Sequence, residues 1–292
     1  FGPPVYVYHE IVHNRWVVEH FRQRGAVFVE DLAEVPTGAV VIFSAHGVSP
    51  AVRAEAIARR LRVIDATCPL VTKVHYEARR FAQQGYQIVL LGHGGHDEVV
   101  GVLGEAPEAI RLIQSVEDVD RLELAPDAKV AYLTQTTLST QEVEKIVARL
   151  RERFPQIVGP ARDDICYATQ NRQEAVRLLA PEVQLVLVVG SPNSSNSRRL
   201  VEIAQAHGVR AYLIDGPQDL RRDWFHGDET LLLTAGASAP EHLVVQCLEW
   251  LQEHFQPTVQ ERIVRLEHLH FLLPAELRPP TQTDQWANTS FP

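Results

Sequence analysis

Apolar β-runs alternating with amphipathic helices put this chain in the α/β class, as three small units related by an internal repeat. Three observations carry that expectation. Apolar runs at 5–8, 40–44, 62–66, 87–92, 129–134, 184–190, 210–215 and 230–235 read as strands. Helix start and stop residues fall between those runs. A cysteine-led module also occurs twice, with 98 residues from Cys68 to Cys166, so each copy has the size of a small domain rather than a solenoid turn.

The elements follow in order. VYVY at 5–8 leads into HEIVHN, where Asn14 suits the cap of a following helix and Gly25 suits its end. Ser49-Pro50 supplies an N-cap with proline at the first helical position. Cys68 then opens a helix that Gly85 ends, and Gly92 closes the next strand 24 residues after Cys68. Cys166 repeats the pattern, with Gly190 again 24 residues on. The two strands run into polar loops, HGGHDE and SPNSSNS, and later strands end in YLTQTTLS and LLTAGASAP. Ser139 with Glu142 and Ser238 with Glu241 read as capping boxes, and Gly208 as a further helix end.

The segment before Cys68 matches the second half of another copy, through HEIVHN and VVIFSAHGVSP. Counting back by the same interval places a third cysteine about 15 positions before Phe1. The chain has no methionine, and its first strand starts after four residues, so an N-terminal truncation is expected. The units are expected at 1–67, 68–165 and 166–270, the third without its N-terminal strand. A tail follows at 271–292, and the part after Pro279 reads as a flexible end.

Composition narrows the function. At 292 residues, 45% hydrophobic and 22% charged, the chain is an ordinary globular protein. A net charge of -9 argues against a nucleic-acid partner, because phosphate backbones require a basic surface. No apolar run approaches the ~18 residues of a membrane span, and no signal peptide is visible. Three scattered cysteines do not make a secreted disulfide scaffold, which makes a reducing cytoplasm the expected compartment. Cys247, on the apolar face of EHLVVQCLEWL, belongs to no repeat position and is expected in the core.

Cys68 and Cys166 both precede the first turn of a helix, where backbone N–H groups favour a thiolate. Three such thiolates about a pseudo-threefold axis suit an iron–sulfur cube with one open iron, and zinc is the lesser option. The loop histidines His13, His46, His93 and His96 follow strand ends, where ligands gather in parallel α/β sheets. Beside Ser194, Ser195 and Asn196, whose loop opens a helix, they suit a phosphate. Neither loop has the P-loop lysine, which disfavours an ATPase. Glu98 is a proton donor if its site is dry.

His9-Glu10-x-x-His13 also matches the zinc-peptidase signature. That chemistry needs both histidines on one helical face, whereas VYVY is a strand and Asn14 a cap. The extended metzincin pattern further requires glycine where Trp16 stands. A zinc metallopeptidase is therefore the distant alternative.

HEIVHN, FSAHGVS, DATCPLVTKVH, GHGGHDEVVG, TQTTLS, DDICYATQNRQ, GSPNSSNS and TAGASAP lie in this order between Val5 and Glu276. Together they resemble the 4-hydroxy-3-methylbut-2-enyl diphosphate reductase family of the methylerythritol phosphate route to isoprenoids. The resemblance implies a trefoil of three pseudo-threefold-related α/β units around a central [4Fe–4S] cluster. Cys68 and Cys166 match two of its three cysteine ligands. The third, in a glycine-rich turn after an N-terminal strand, is expected upstream of Phe1. Without that strand the third unit should show an open sheet edge and the chain should hold a cluster poorly.

The implied reaction removes the substrate hydroxyl as water, with two electrons from ferredoxin or flavodoxin, and yields isopentenyl and dimethylallyl diphosphate. By resemblance Glu98 is the proton-relay carboxylate, and Thr136 the hydroxyl beside the substrate oxygen. His96 stands between the reacting end and the diphosphate. The matched diphosphate ligands are His13, His46, Ser194, Asn196 and Ser238, with Ser195 nearby. A cluster-free diphosphate-binding or scaffold relative is the alternative.

Overall fold

The computed structural model describes residues 1–125 and 128–278. Three all-parallel sheets form the frame, in the orders β2-β1-β3-β4, β6-β5-β7 and β10-β8-β9. The first comprises β1 (Val5–Tyr8), β2 (Ala26–Val29), β3 (Val40–Phe43) and β4 (Arg62–Asp65). The second holds β5 (Gln87–Leu91), β6 (Ile110–Ile113) and β7 (Val130–Thr134). The third holds β8 (Leu185–Val189), β9 (Arg210–Ile214) and β10 (Leu231–Ala235). In each sheet the earliest strand is central: β1, β5 and β8 each pair with the two strands that follow them in sequence.

Burial explains why these runs are strands. Every residue of β8 is buried, as are the four apolar residues of β5, so both read as unbroken aliphatic runs rather than alternating ones. Helices cover them on both faces. The cores of the second sheet pack α3 (Pro69–Gln83) and α4 (Asp97–Leu103) on one side, and α5 (Val116–Arg121) and α6 (Thr140–Arg153) on the other. The third sheet is covered by α7 (Tyr167–Leu179) and α8 (Ser195–Ala206) on one face and by α9 (Glu241–Phe255) on the other. Cys247 is fully buried in the α9 core, as its apolar helix face implies.

Edge strands β2 and β6 escape the sequence reading. Both are only four residues long, and β6 carries the exposed Arg111 in its centre. Two capping expectations are corrected. Ser139 caps α6 by accepting from Glu142 N at 3.3 Å, but the reciprocal half of the box is absent. Ser238 caps nothing: α9 starts behind Pro240, and the serine hydroxyl instead donates to the carbonyl of His13 at 3.1 Å. Asn14 does cap α1 (Arg15–Gln23), and Ser49 caps α2 (Pro50–Ala58). Gly25, Gly85 and Gly208 take the left-handed conformation that ends α1, α3 and α8. Among the described residues no helix is long and apolar enough to cross a membrane. Residues 279–292, expected as a flexible end, lie outside the described residues.

The outer edges of β3, β7 and β10 differ. β4 pairs along β3 and leads into Cys68. Beside β7, Val158 bridges to Ala131 and its strand-like hydrogen bonds precede Cys166. Among the described residues no strand lies on the outer edge of β10, and all five β10 residues are only partly buried.

Candidate active site

The loops after β1, β3, β5, β7, β8 and β10 converge at the carboxyl ends of their strands, where parallel sheets place ligand-binding residues. Glycine makes that convergence possible at the third sheet. A Cβ on Gly190 or Gly236 would stand 2.3 or 2.0 Å from the Ser197 hydroxyl, so any larger residue would push the start of α8 off the strand ends.

HEIVHN joins the units rather than forming a helix. His9 sits at φ 59, and its Nδ1 lies 2.9 Å from Asp97 Oδ1 at the start of α4. Glu10 accepts from Asn193 Nδ2 at 2.7 Å and lies 3.3 Å from His13 Nδ1. Arg15 N donates to Ser191 Oγ at 2.8 Å. The loop is thus tied to the second unit through His9 and to the third through Glu10 and Arg15. This removes the zinc-peptidase alternative, because His9 and His13 serve different partners and share no helical face.

Three of the sequence-predicted histidines meet. His13 and His46 stack at 4.0 Å with an interplanar angle of 20°. His96 stands edge-on to both, at 5.0 and 5.5 Å. Burial, reinforced by the neighbouring imidazoles, drives His46 down to about 3 and His96 down to about 4. Both are neutral at pH 7. Glu98 N donates to His96 Nδ1 at 3.2 Å, which leaves the proton on Nε2 of the neutral ring and makes that nitrogen a donor. Atoms of His13, His46 and Asp97 lie within 4.8 Å of one another, but face-to-face imidazoles do not aim their lone pairs at a common ion.

His93 stands apart, beside a cavity of ≈ 290 Å³ lined with Ser195, Arg198, Arg199 and Glu202. Ser194 caps α8 and bonds Ser197, while Ser195 and Asn196 are buried in its first turn. Both polar atoms of the Asn196 amide are buried without a partner. Such atoms are costly unless something bonds them, so the amide marks a place prepared for a polar ligand.

Glu98 is 1% exposed and accepts twice from Thr136: from its N at 2.7 Å and from its hydroxyl at 2.8 Å. Burial raises it to about 7 against the opposing pull of those two hydrogen bonds. The site is dry, and a carboxyl with that pKa holds a transferable proton near neutrality.

Cys68 and Cys166 occupy equivalent positions, with φ/ψ of -56/133 and -58/133, each at a helix N-cap whose thiol makes no capping bond. Both are free and partly buried. The Cys68 thiol is pushed up by burial, eased by the Leu70 and Val71 N–H groups and raised further by Cys166. Their backbones repeat as well. Cys68 N donates to Ala45 O at 3.0 Å and Cys166 N to Thr136 O at 2.9 Å, each carbonyl two residues beyond β3 or β7. Soft sulfur ligands outside any disulfide suit an iron–sulfur cluster.

Several supporting residues escaped the sequence reading. Lys73, on α3, reaches the fully buried Asp164 carboxylate at 2.9 Å, two residues before Cys166. That carboxylate is lifted to about 6 by burial, opposed by Lys73. Asp97 was visible between His96 and Glu98, but its His9 partner lies 88 residues away.

Residues 1–252 match the family model described as LytB protein. The 4-hydroxy-3-methylbut-2-enyl diphosphate reductase of Rhodopirellula baltica is 59% identical over 278 residues, covering 95% of this chain and 87% of that protein. The reductase of Azotobacter vinelandii is 55% identical over 282 residues, covering 95% and 90%. Among solved structures, the E-1-hydroxy-2-methyl-but-2-enyl-4-diphosphate reductase of Plasmodium falciparum is similar with a TM-score of 0.87 and 39% identity, covering 94% of this chain and 87% of that one. The family model spans most of the chain and these relatives cover nearly all of it, and the chain belongs to the LytB protein family.

Proposed function

We propose that this chain reduces (E)-4-hydroxy-3-methylbut-2-enyl diphosphate to isopentenyl and dimethylallyl diphosphate. The observation that carries the reading is the pairing of buried Glu98 with Thr136, next to the neutral His96, in a chain with two free and equivalently placed cysteines. In the balanced reaction the allylic C–O bond breaks, two electrons and two protons enter, and one water leaves. A [4Fe–4S] cluster, when bound, supplies electrons and a Lewis-acid site, chemistry that side chains lack.

The chain's own groups bind, orient and protonate. His96 Nε2–H, His46, His13, Ser194, Ser195 and Asn196 hold the diphosphate, with the unpartnered Asn196 amide completing its hydrogen bonds there, and Ser238 joins them once its hydroxyl turns from the His13 carbonyl to the ligand. Fixing the diphosphate sets the allylic end against the thiol-lined space. Thr136 Oγ1 lies beside the substrate hydroxyl, and Glu98 relays a proton through it to the departing oxygen. His96, between the two ends, orients the chain of the substrate.

Cys68 and Cys166 would hold the cluster, and a third thiolate would complete the set. The Ala237 carbonyl, two residues beyond β10, accepts no backbone hydrogen bond among the described residues, unlike Ala45 and Thr136 O. A cysteine-bearing strand paired along the open β10 edge would fill that position, as β4 does along β3. Electrons come from a ferredoxin or flavodoxin in a reducing cytoplasm. The units 1–67, 68–165 and 166–270 each contribute one face of the site.

Anaerobic reconstitution tests this, on this chain and on a form carrying a cysteine-bearing strand before Phe1. Cluster absorbance at ~400 nm and turnover of the allylic diphosphate are expected. Diphosphate binding with no cluster and no turnover would instead establish a cluster-free binding protein.

A further inference from the structure

His75 faces none of the proposed ligands, yet it touches the backbone that carries them. It lies on α3, seven residues after Cys68, and is 4% exposed. Its Nδ1 lies 2.6 Å from Glu105 Oε1, and Arg79 lies 3.4 Å from the other carboxylate oxygen. Glu105 follows the C-terminal end of α4, the helix whose first turn carries Glu98 with His96 as its cap. Nδ1–H therefore ties the imidazole to one end of that helix.

The other nitrogen, Nε2, is buried without a partner. It presses on Gly47, the residue after His46: a Cβ there would stand 2.8 Å from Nε2. Gly47 also has φ +76, so the turn needs glycine for conformation as well as for space. From the other side a Cβ on Gly101 of α4 would stand 3.2 Å from His75 Cε1. Gly104, at the end of the same helix, would collide with Ser49 Cβ at 2.4 Å. The glycine face of α4 and the turn at 47–49 thus close on each other with the His75 ring between them.

We propose that His75, fixed by Glu105, is a positioning residue that sets the spacing between the His46 turn and α4, and so aligns His46 with His96 and Glu98. A hydrocarbon of similar size fills the space but leaves the buried Glu105 carboxylate without its Nδ1–H donor. A hydrogen-bonded ring fixes both thickness and plane. The inference rests on the reading of His46 and His96 as diphosphate ligands.

Calorimetric titration with inorganic diphosphate tests it, on anaerobically purified protein whose cluster absorbance and Tm are recorded in parallel. His75→Ala should weaken diphosphate at least ~10-fold while leaving the cluster absorbance unchanged, and added imidazole should restore affinity by refilling the slot. His75→Ala within twofold of wild type, or imidazole that raises Tm without restoring affinity, overturns the proposal. If His75→Ala does not fold, Gly101→Ala carries the test, since its methyl crowds the ring from the α4 side without removing a polar group. Unchanged affinity in Gly101→Ala then overturns the positioning role. Wild-type protein that binds no diphosphate overturns the ligand reading itself, a result distinct from either variant outcome.

Discussion

Glu98 and His96 stand two residues apart at the start of α4, and one physical cause moves them in opposite directions. Burial lifts the carboxyl to about 7 and lowers the imidazole to about 4, with His46 lower still at about 3. Desolvation disfavours whichever form is charged, so the acid keeps its proton and the bases lose theirs. Glu98, His96 and His46 are therefore uncharged before ligand arrives. An anion then changes one end only. Its charge favours imidazolium on His46 and His96, whereas at Glu98 it deepens the preference for the protonated acid.

The largest expected effect breaks the acid end. Glu98→Gln keeps an acceptor for Thr136 N but has no proton to give, and turnover should fall by ~10²–10⁴-fold with diphosphate affinity nearly unchanged. Steady-state kinetics beside calorimetry separate the two, and unchanged turnover removes Glu98 from the proton path. Next comes the basic end. His46→Ala removes a charge-assisted hydrogen bond to the diphosphate, about 1.5–3 kcal/mol, so affinity should drop roughly 10–100-fold. Binding heats in buffers of different ionisation enthalpy should also show net proton uptake by the wild type, reduced in His46→Ala. Zero uptake would mean the histidines stay neutral in the complex.

Thr136→Val has a smaller, directional effect. The lost hydroxyl opposes the Glu98 shift, so the Glu98 pKa should rise further and the basic limb of the pH–rate profile should move to higher pH, with a rate loss of about tenfold. A limb that stays in place would mean the hydroxyl does not act on Glu98.

Stability gives the subtlest contrast. Below the unfolded carboxyl value of 4.5, Glu98 is protonated in both states. Between 4.5 and about 7 only the unfolded chain releases the proton, so stability falls as pH rises and levels off above about 7. Relative to wild type, Glu98→Gln should gain on the order of 1–3 kcal/mol between pH 4.5 and 8 in denaturant melts. A difference that does not vary with pH contradicts the raised pKa.

The sequence carried the fold where the chain is regular. β5 and β8 are long aliphatic runs, and Asn14, Ser49 and Gly85 act locally, so periodicity and capping chemistry reveal them. The four-residue edges β2 and β6 were missed because a short, half-exposed strand has little pattern to read. Ser238 was misassigned because a local box looked complete, while its hydroxyl bonds His13 O, 225 residues away. The same distance problem hid the contacts of His9 with Asp97, Lys73 with Asp164 and His75 with Gly47. Loop chemistry at strand ends was legible as residue types, but the burial that sets their protonation belongs to the packed molecule.

The most direct test of a dry, proton-loaded acid is the infrared C=O stretch of the Glu98 carboxyl, taken as the difference between wild type and Glu98→Gln across a pH titration. The predicted result is a protonated-acid band that persists at pH 6 and fades with a midpoint of about 7. A Glu98 band already in the carboxylate form at pH 5 would contradict the account.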